Sequence, residues 1–186
     1  MRTRAASGGG GLDERAFRDL FARTSVRVRA YVRRHCAEAD CDDVLSEVYL
    51  VAWRRFAELP EDPLPWLLGT ARKVLANHWR SRDRRDRLTA ELQGIDHLAV
   101  EPDAADRAID RTAMLEAVAA LGPDDRELLL LVGWDGLNTA GVAAVLGCSA
   151  GAARMRLNRA RQRLEEQLAE AGAPPFLRRT PAEEGN

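Results

Sequence analysis

Apolar residues recur with a helical period along most of the chain. Phe17, Leu20, Phe21, Val28, Tyr31 and Val32 fall close to a 3.6-residue repeat, and Asp13 precedes them as an acceptable N-cap, so a first helix is predicted from that point. The stretch DCDDVLSEVYLVAWRRF predicts a second helix from near Asp40 to about Ala57. Its apolar residues cover most of the girth, which places it centrally in its domain. The three prolines of LPEDPLP break helical hydrogen bonding and mark a rigid turn. A third helix follows from about Leu64 to Arg87, amphipathic at first and strongly basic later. No segment alternates with period two, so strands are not expected.

Residues 88–111 mix acids, a glycine and a proline with few large apolar groups, and read as a linker. Fully extended, such a tether reaches about 75 to 80 Å. Four more helices are predicted beyond it: Thr112 to Leu121, Asp124 to about Trp134, Thr139 to Leu146, and Ala150 to about Ala171. Gly122-Pro123, Asp135-Gly136 and Gly147-Cys148-Ser149 punctuate them. Residues 1–11, with four consecutive glycines, read as a disordered leader, and 172–186 as a disordered tail. The expected fold is therefore all-α. Two small helical domains, 12–87 and 112–171, are joined by a flexible linker, and the second is a four-helix unit containing a helix-turn-helix.

Composition changes this picture little until charge is read locally. The 186 residues are 46% hydrophobic and carry a formal net charge of −1, which at first argues against a phosphate-binding protein. The average conceals blocks. Acids gather at 38–47, 58–62 and 91–106, while arginines gather at 72–87 and 154–163, two candidate footprints for nucleic acid. Lys73 is the one lysine in the chain, a bias that fits a GC-rich coding sequence better than a functional choice.

Cys36, Cys41 and Cys148 are odd in number and form no CxxC pair, so neither a disulfide framework nor a zinc cluster is indicated, and a reducing cytoplasm is the expected location. No apolar run approaches the roughly 20 residues of a membrane span, and the first residues lack the apolar stretch of a signal peptide. His35, His78 and His97 lie far apart, with no HExxH, nucleophile elbow or phosphate loop. No catalytic residue, metal site or cofactor is therefore expected.

TAGVAAVLGCSAGAARMRLNRARQRL has the spacing of a helix-turn-helix. Small Ala143 suits a close helix crossing, Gly147 a left-handed turn, and Ser149 the cap of the next helix. Val142, Val145, Leu146 and Leu157 supply its inward face. The second helix then presents arginines with no acid before Glu165. Its expected DNA contacts are Ser149, Ala150, Gly151, Ala153, Arg154, Arg156, Asn158, Arg159 and Arg161, with Arg154 as a base reader and Arg159 and Arg161 nearer phosphates. A charged run is more often a solvated face, but here the turn signature and the one-signed charge coincide. Cys148 reads as a small apolar filler in the turn.

These residues also carry a family resemblance. AVAALGPDDRELLLLVGWDGLNTAGVAAVLGCSAGAARMRLNRARQRL resembles the sigma-70 family domain that binds the −35 promoter element, with its Gly-Pro-x-x-Arg-Glu opening and RLxRARxxL close. Gly141 stands where the family often has Glu, and Ala153 replaces a branched aliphatic. DCDDVLSEVYLVAW is similar to the family's DAEDLVQEVFLRAW, which implies docking on the coiled coil of the largest polymerase subunit. Helical spacing puts Asp43, Ser46, Glu47, Leu50 and Arg54 on one stripe suited to that role, although Ser46 replaces a longer-reaching Gln.

PWLLGTARKVLANHWRSRDRR resembles PxxWLxxIARNxxxDxxRxxxR, the helix that contacts and opens the −10 element. Arg72, Lys73, Arg80, Arg82, Arg84 and Arg85 have the chemistry to track phosphates, and Asn77, His78 and Trp79 to stack on or hydrogen-bond unpaired bases. Lys73 stands in place of the family Asn. Trp66 falls on the apolar face and is expected in the core.

The resemblance covers about 15–87 and 112–168 and implies an extracytoplasmic-function sigma factor. Its implied partners are core RNA polymerase and promoter DNA, with an anti-sigma factor as a further candidate and no membrane. The competing reading is a stand-alone helix-turn-helix regulator of duplex DNA, which leaves the first 87 residues unexplained.

Overall fold

The computed structural model describes residues 10–85 and 114–170, with side chains over 14–80 and 114–170. The expected linker 88–111, the tail 172–186 and leader residues 1–9 lie outside the described residues. Within the described residues all regular structure is helical, and the chain divides into two compact units, within 1–93 and 94–186. No described helix is long and apolar enough to cross a membrane.

The first unit packs α1 (Gly10–Arg33), α2 (Glu38–Arg54) and α3 (Leu64–Arg85) around one core. Leu20, Thr24, Val28, Tyr31 and Val32 line α1 at spacings that keep them on one face. Cys41, Val44, Leu45, Val48, Tyr49 and Ala52 of α2 are buried against them, as are Leu64, Leu67, Leu68, Ala71, Val74 and Leu75 of α3. The Thr24 hydroxyl donates to Leu20 O at 2.7 Å. Its single hydrogen is thereby used, so Tyr49 Oη donates to Thr24 Oγ1 across 2.8 Å and both buried hydroxyls are satisfied. Phe17 meets Trp53, Phe56 and Tyr49 edge-on, an aromatic cluster that closes the open end of the α1–α2 pair.

Two helix ends differ most from expectation. α1 begins at Gly10, three residues before Asp13, so Asp13 lies in helical backbone and is not a cap. α2 ends at Arg54 rather than Ala57. Arg55 leaves the helical region (φ −115°, ψ 24°), and its guanidinium forks onto Glu58 at 2.9 and 2.5 Å, holding a 3₁₀ turn over Phe56–Glu58. The proline-rich turn then hands over to α3 through Asp62, whose Oδ1 accepts from Leu64 N at 3.3 Å. Trp66, expected in the core, is only half-buried and has the Arg55 guanidinium 5.7 Å over its ring.

The second unit comprises α4 (described over 114–120), α5 (Pro123–Gly133), α6 (Thr139–Leu146) and α7 (Ala150–Glu170). Pro123 opens α5 at a position where its missing N–H costs nothing. Ala117, Val118 and Leu121 pack with Leu164 and Leu168 of α7, joined by Met114 and Leu129. The arginine of Gly-Pro-x-x-Arg-Glu is structural. Arg126 donates to Val118 O at 3.1 Å, to Leu121 O at 2.9 Å and to Ala119 O, capping carbonyls at the C-terminal end of α4, where Val118 O also accepts from Leu121 N at 3.3 Å.

Two expectations follow. Arg126→Met removes three charge-assisted bonds and should cost the second unit about 2 to 3 kcal/mol; urea unfolding of the full chain, with faster hydrogen exchange over 114–133 and unchanged exchange over 20–80, checks this. Cys36 and Cys41 lie buried with their sulfurs 3.3 Å apart, and burial, then the Cys41 hydrogen bond, pushes the Cys36 thiol up to about 12. Its proton is held more tightly in the folded state, so the associated stability is complete below about pH 9 and is lost as the pH rises towards 12. Iodoacetamide at pH 8 should modify half-buried Cys148 in the native chain and reach Cys36 and Cys41 only in denaturant, as read by mass spectrometry.

Candidate nucleic-acid interface

The turn between α6 and α7 is built by three side-chain or backbone devices. Asn138 caps α6, its Oδ1 accepting from Gly141 N at 2.8 Å. Gly141 occupies the third helical position, where a Glu would reach back to the cap residue's N–H; here that reciprocal bond is absent. Gly147 adopts the left-handed conformation (φ 64°, ψ 38°), which lets its N–H and that of Cys148 both return to Ala143 O. Ser149 Oγ then accepts from Ala152 N at 3.2 Å and starts α7.

Val142, Val145 and Leu157 are buried as the sequence predicts, as is Ala143, while Leu146 is half-buried. Along α7 the buried residues are Ala153, Leu157, Ala160, Leu164 and Leu168, one stripe at helical spacing. Ala153 is 0% exposed, so its expected place among DNA contacts is corrected: it is a core residue, and its smallness lets α7 approach α6. Ser149, Ala150, Gly151, Arg154, Arg156, Asn158 and Arg159 are exposed, and Arg161 is half-buried. Arg163 is drawn onto Asp125 of α5, which removes that charge from the outward set and braces the two helices. Met155, 59% exposed between Arg154 and Arg156, was not among the sequence-predicted contacts.

On α3, Arg72, Lys73, Asn77, Trp79 and Arg80 are exposed. Arg80 donates to Asn77 Oδ1 at 2.6 Å, so these two side chains present a joined polar surface. His78 differs. It falls four residues after Val74 and three after Leu75, in register with the buried stripe, and its Nε2 lies 3.4 Å from Asp40 Oδ2 at the start of α2. That approach, which is not a hydrogen bond, sets His78 against the start of α2 and turns it from the surface its neighbours share. The side chains of Arg82, Arg84 and Arg85 lie outside the described residues.

On α2, Asp43, Ser46, Glu47, Leu50 and Arg54 are all exposed, as a stripe opposite the buried face requires. Leu50 is 47% and Trp53 42% exposed. Trp53, three residues after Leu50 and seven after Ser46, extends the stripe with a second apolar group; the i, i+4, i+7 spacing carried that information. Arg29 and Arg33 of α1 pair with Asp42 at 2.8 Å and Glu38 at 3.0 Å, leaving the acids further along α2 to face outward. Among the described residues, no cluster of His, Cys, Asp and Glu is arranged to hold a metal ion.

Comparison with known proteins places both units. Residues 20–85 match the family Sigma-70 region 2, and residues 111–164 match Sigma-70, region 4. The chain is 34% identical to the extracytoplasmic-function RNA polymerase sigma factor SigF of Caulobacter vibrioides over 86% of its own length and 89% of that protein. It is 36% identical to the probable RNA polymerase sigma factor RfaY of Xanthomonas campestris over 70% of its length, but spans only 34% of that longer relative. Its fold is shared with the sigma factor RpoE of Bartonella quintana, solved in complex with the anti-sigma factor NepR, at a TM-score of 0.61 and 23% identity, covering 83% of this chain and 97% of that one.

Proposed function

The chain belongs to the sigma-70 family, as an extracytoplasmic-function RNA polymerase sigma factor for transcription initiation, and from that premise we propose how its exposed faces divide the work. Residues 12–87 act as the domain that binds core polymerase and the −10 element, and 112–171 as the domain that binds the −35 element. The outward acids and the Leu50–Trp53 pair of α2 suit a basic partner helix carrying apolar side chains, as a polymerase coiled coil does. On α3, Lys73 and Arg80 track phosphates of the opened −10 strand, with Arg72, Arg82, Arg84 and Arg85 alongside. Trp79 offers a face for one unpaired base, a contact of about 1 to 3 kcal/mol that offsets part of the cost of melting.

The observation that carries the reading is α7. A helix-turn-helix holds it by one buried stripe, and its outward residues from Ser149 to Arg163 include no acid. Arg154 and Asn158 reach base edges of the −35 element, whereas Arg159 and Arg161 meet flanking phosphates. Such a chain works in the cytoplasm with core polymerase and promoter DNA. An anti-sigma factor that covers the α2 face would silence it, because docking on polymerase needs the same residues. The alternative of a stand-alone regulator leaves the exposed α2 stripe and the basic α3 without a task.

The deciding experiment is transcription from promoter DNA by core polymerase with and without the chain. Promoter-specific transcript should appear only with it, and an Asp43→Arg/Glu47→Arg variant should lose at least about tenfold in core affinity while remaining folded. A transcript that ignores the chain, or unchanged core binding by that variant, contradicts the assignment. Arg159→Ala in the holoenzyme should weaken all −35 sequences alike and reduce the slope of log affinity against log salt by about one unit. Titration against several −35 duplexes at several salt concentrations measures both effects.

A further inference from the structure

The buried stripe of α7 fixes more than its packing, because it sets the rotation of the helix about its own axis. At about 100° per residue, Ala153, Leu157, Ala160, Leu164 and Leu168 average to one direction, and the direction opposite passes almost through Met155. Arg154 and Arg156 project about 100° to either side of it. One turn earlier the same outward line holds Gly151, where an added Cβ would meet nothing within 4 Å. The first turn therefore presents backbone and methyl groups only, and the first long side chain on the outermost line is an apolar one. Met155 is 59% exposed, well above the exposure usual for a large apolar side chain.

Resting on the reading of α7 as the −35 helix, we infer that Met155 is a specificity-determining residue that packs on the 5-methyl group of a thymine in the −35 element. The flanking arginines commit this surface to a polyanion, since an apolar protein groove would have to desolvate both. In the major groove the apolar feature that distinguishes one base pair from another is the thymine methyl. A flexible, polarizable thioether adapts to that small target better than a branched side chain. With Met155 on the groove floor, Arg154 and Arg156 extend towards the two walls, where one meets a base edge or a phosphate on each strand.

The test uses holoenzyme assembled with core polymerase and a set of −35 duplexes in which each thymine in turn is replaced by deoxyuridine, which lacks the methyl and keeps every hydrogen-bonding group. Wild type should lose about fourfold in affinity at one position, the equivalent of about 0.8 kcal/mol for one buried methyl. Met155→Ala should bind more weakly and no longer distinguish thymine from uracil there, and Met155→Leu should retain part of the distinction. The inference is overturned if wild type discriminates −35 base sequences yet is indifferent to deoxyuridine everywhere, or if Met155→Ala keeps the full deoxyuridine penalty. Loss of anti-sigma binding by Met155→Ala with DNA binding intact also overturns it, in favour of a protein partner. Absence of any −35 sequence preference in the holoenzyme would instead remove the assignment of α7 itself.

Discussion

A helix that offers one face to a partner has to be held by the other, and in this chain α7, proposed as the −35 helix, meets that constraint. Its buried residues are two Ala and three Leu at i, i+4, i+7, i+11 and i+15, so burial is gained without a wide apolar face. The devices around it serve the same end. Gly147 turns the chain sharply enough for α6 and α7 to cross, Ala143 and Ala153 keep that crossing close, and Arg163 braces the far end on Asp125. Arg126 acts one layer further out, fixing α4 so that Ala117, Val118 and Leu121 meet Leu164 and Leu168. Each arginine that is bound into the fold leaves the outward set better defined.

The first unit solves the same problem with two working faces. α2 is buried by six residues and still offers an exposed stripe, since its acids near the N-terminus are partly neutralised by Arg29 and Arg33 of α1. Surface pairs of this kind contribute little stability. Their effect here is on charge pattern: the acids left facing outward are those of the stripe. The aromatic cluster of Phe17, Tyr49, Trp53 and Phe56 holds the end of α2 rigid, and so places Leu50 and Trp53 on a fixed surface.

The near-neutral net charge is a sum over separate blocks of opposite sign, the acidic stretch 91–106 among them. The basic faces proposed for DNA and the acidic face proposed for a protein partner are therefore hidden in that sum. A free chain of net charge −1 gains little from non-specific phosphate attraction, so on the proposed reading tight promoter binding depends on core polymerase.

The sequence by itself determined the helices, the helix-turn-helix and the family. These depend on periodicity, on Gly147 and Ser149, and on local blocks of one charge, all of which are short-range properties of the chain. α6 was legible to the residue, and the exposed stripe of α2 followed from spacing alone. What only the tertiary structure decided was the fate of individual side chains within those patterns. Ala153 became core, His78 turned to Asp40, Arg163 to Asp125 and Arg126 to the end of α4, because each meets a partner on another helix or beyond its own turn. Met155 emerged as the outermost residue of α7 for the same reason: the direction a helix faces is set by what its other side is packed against, and that is not encoded in the helix alone.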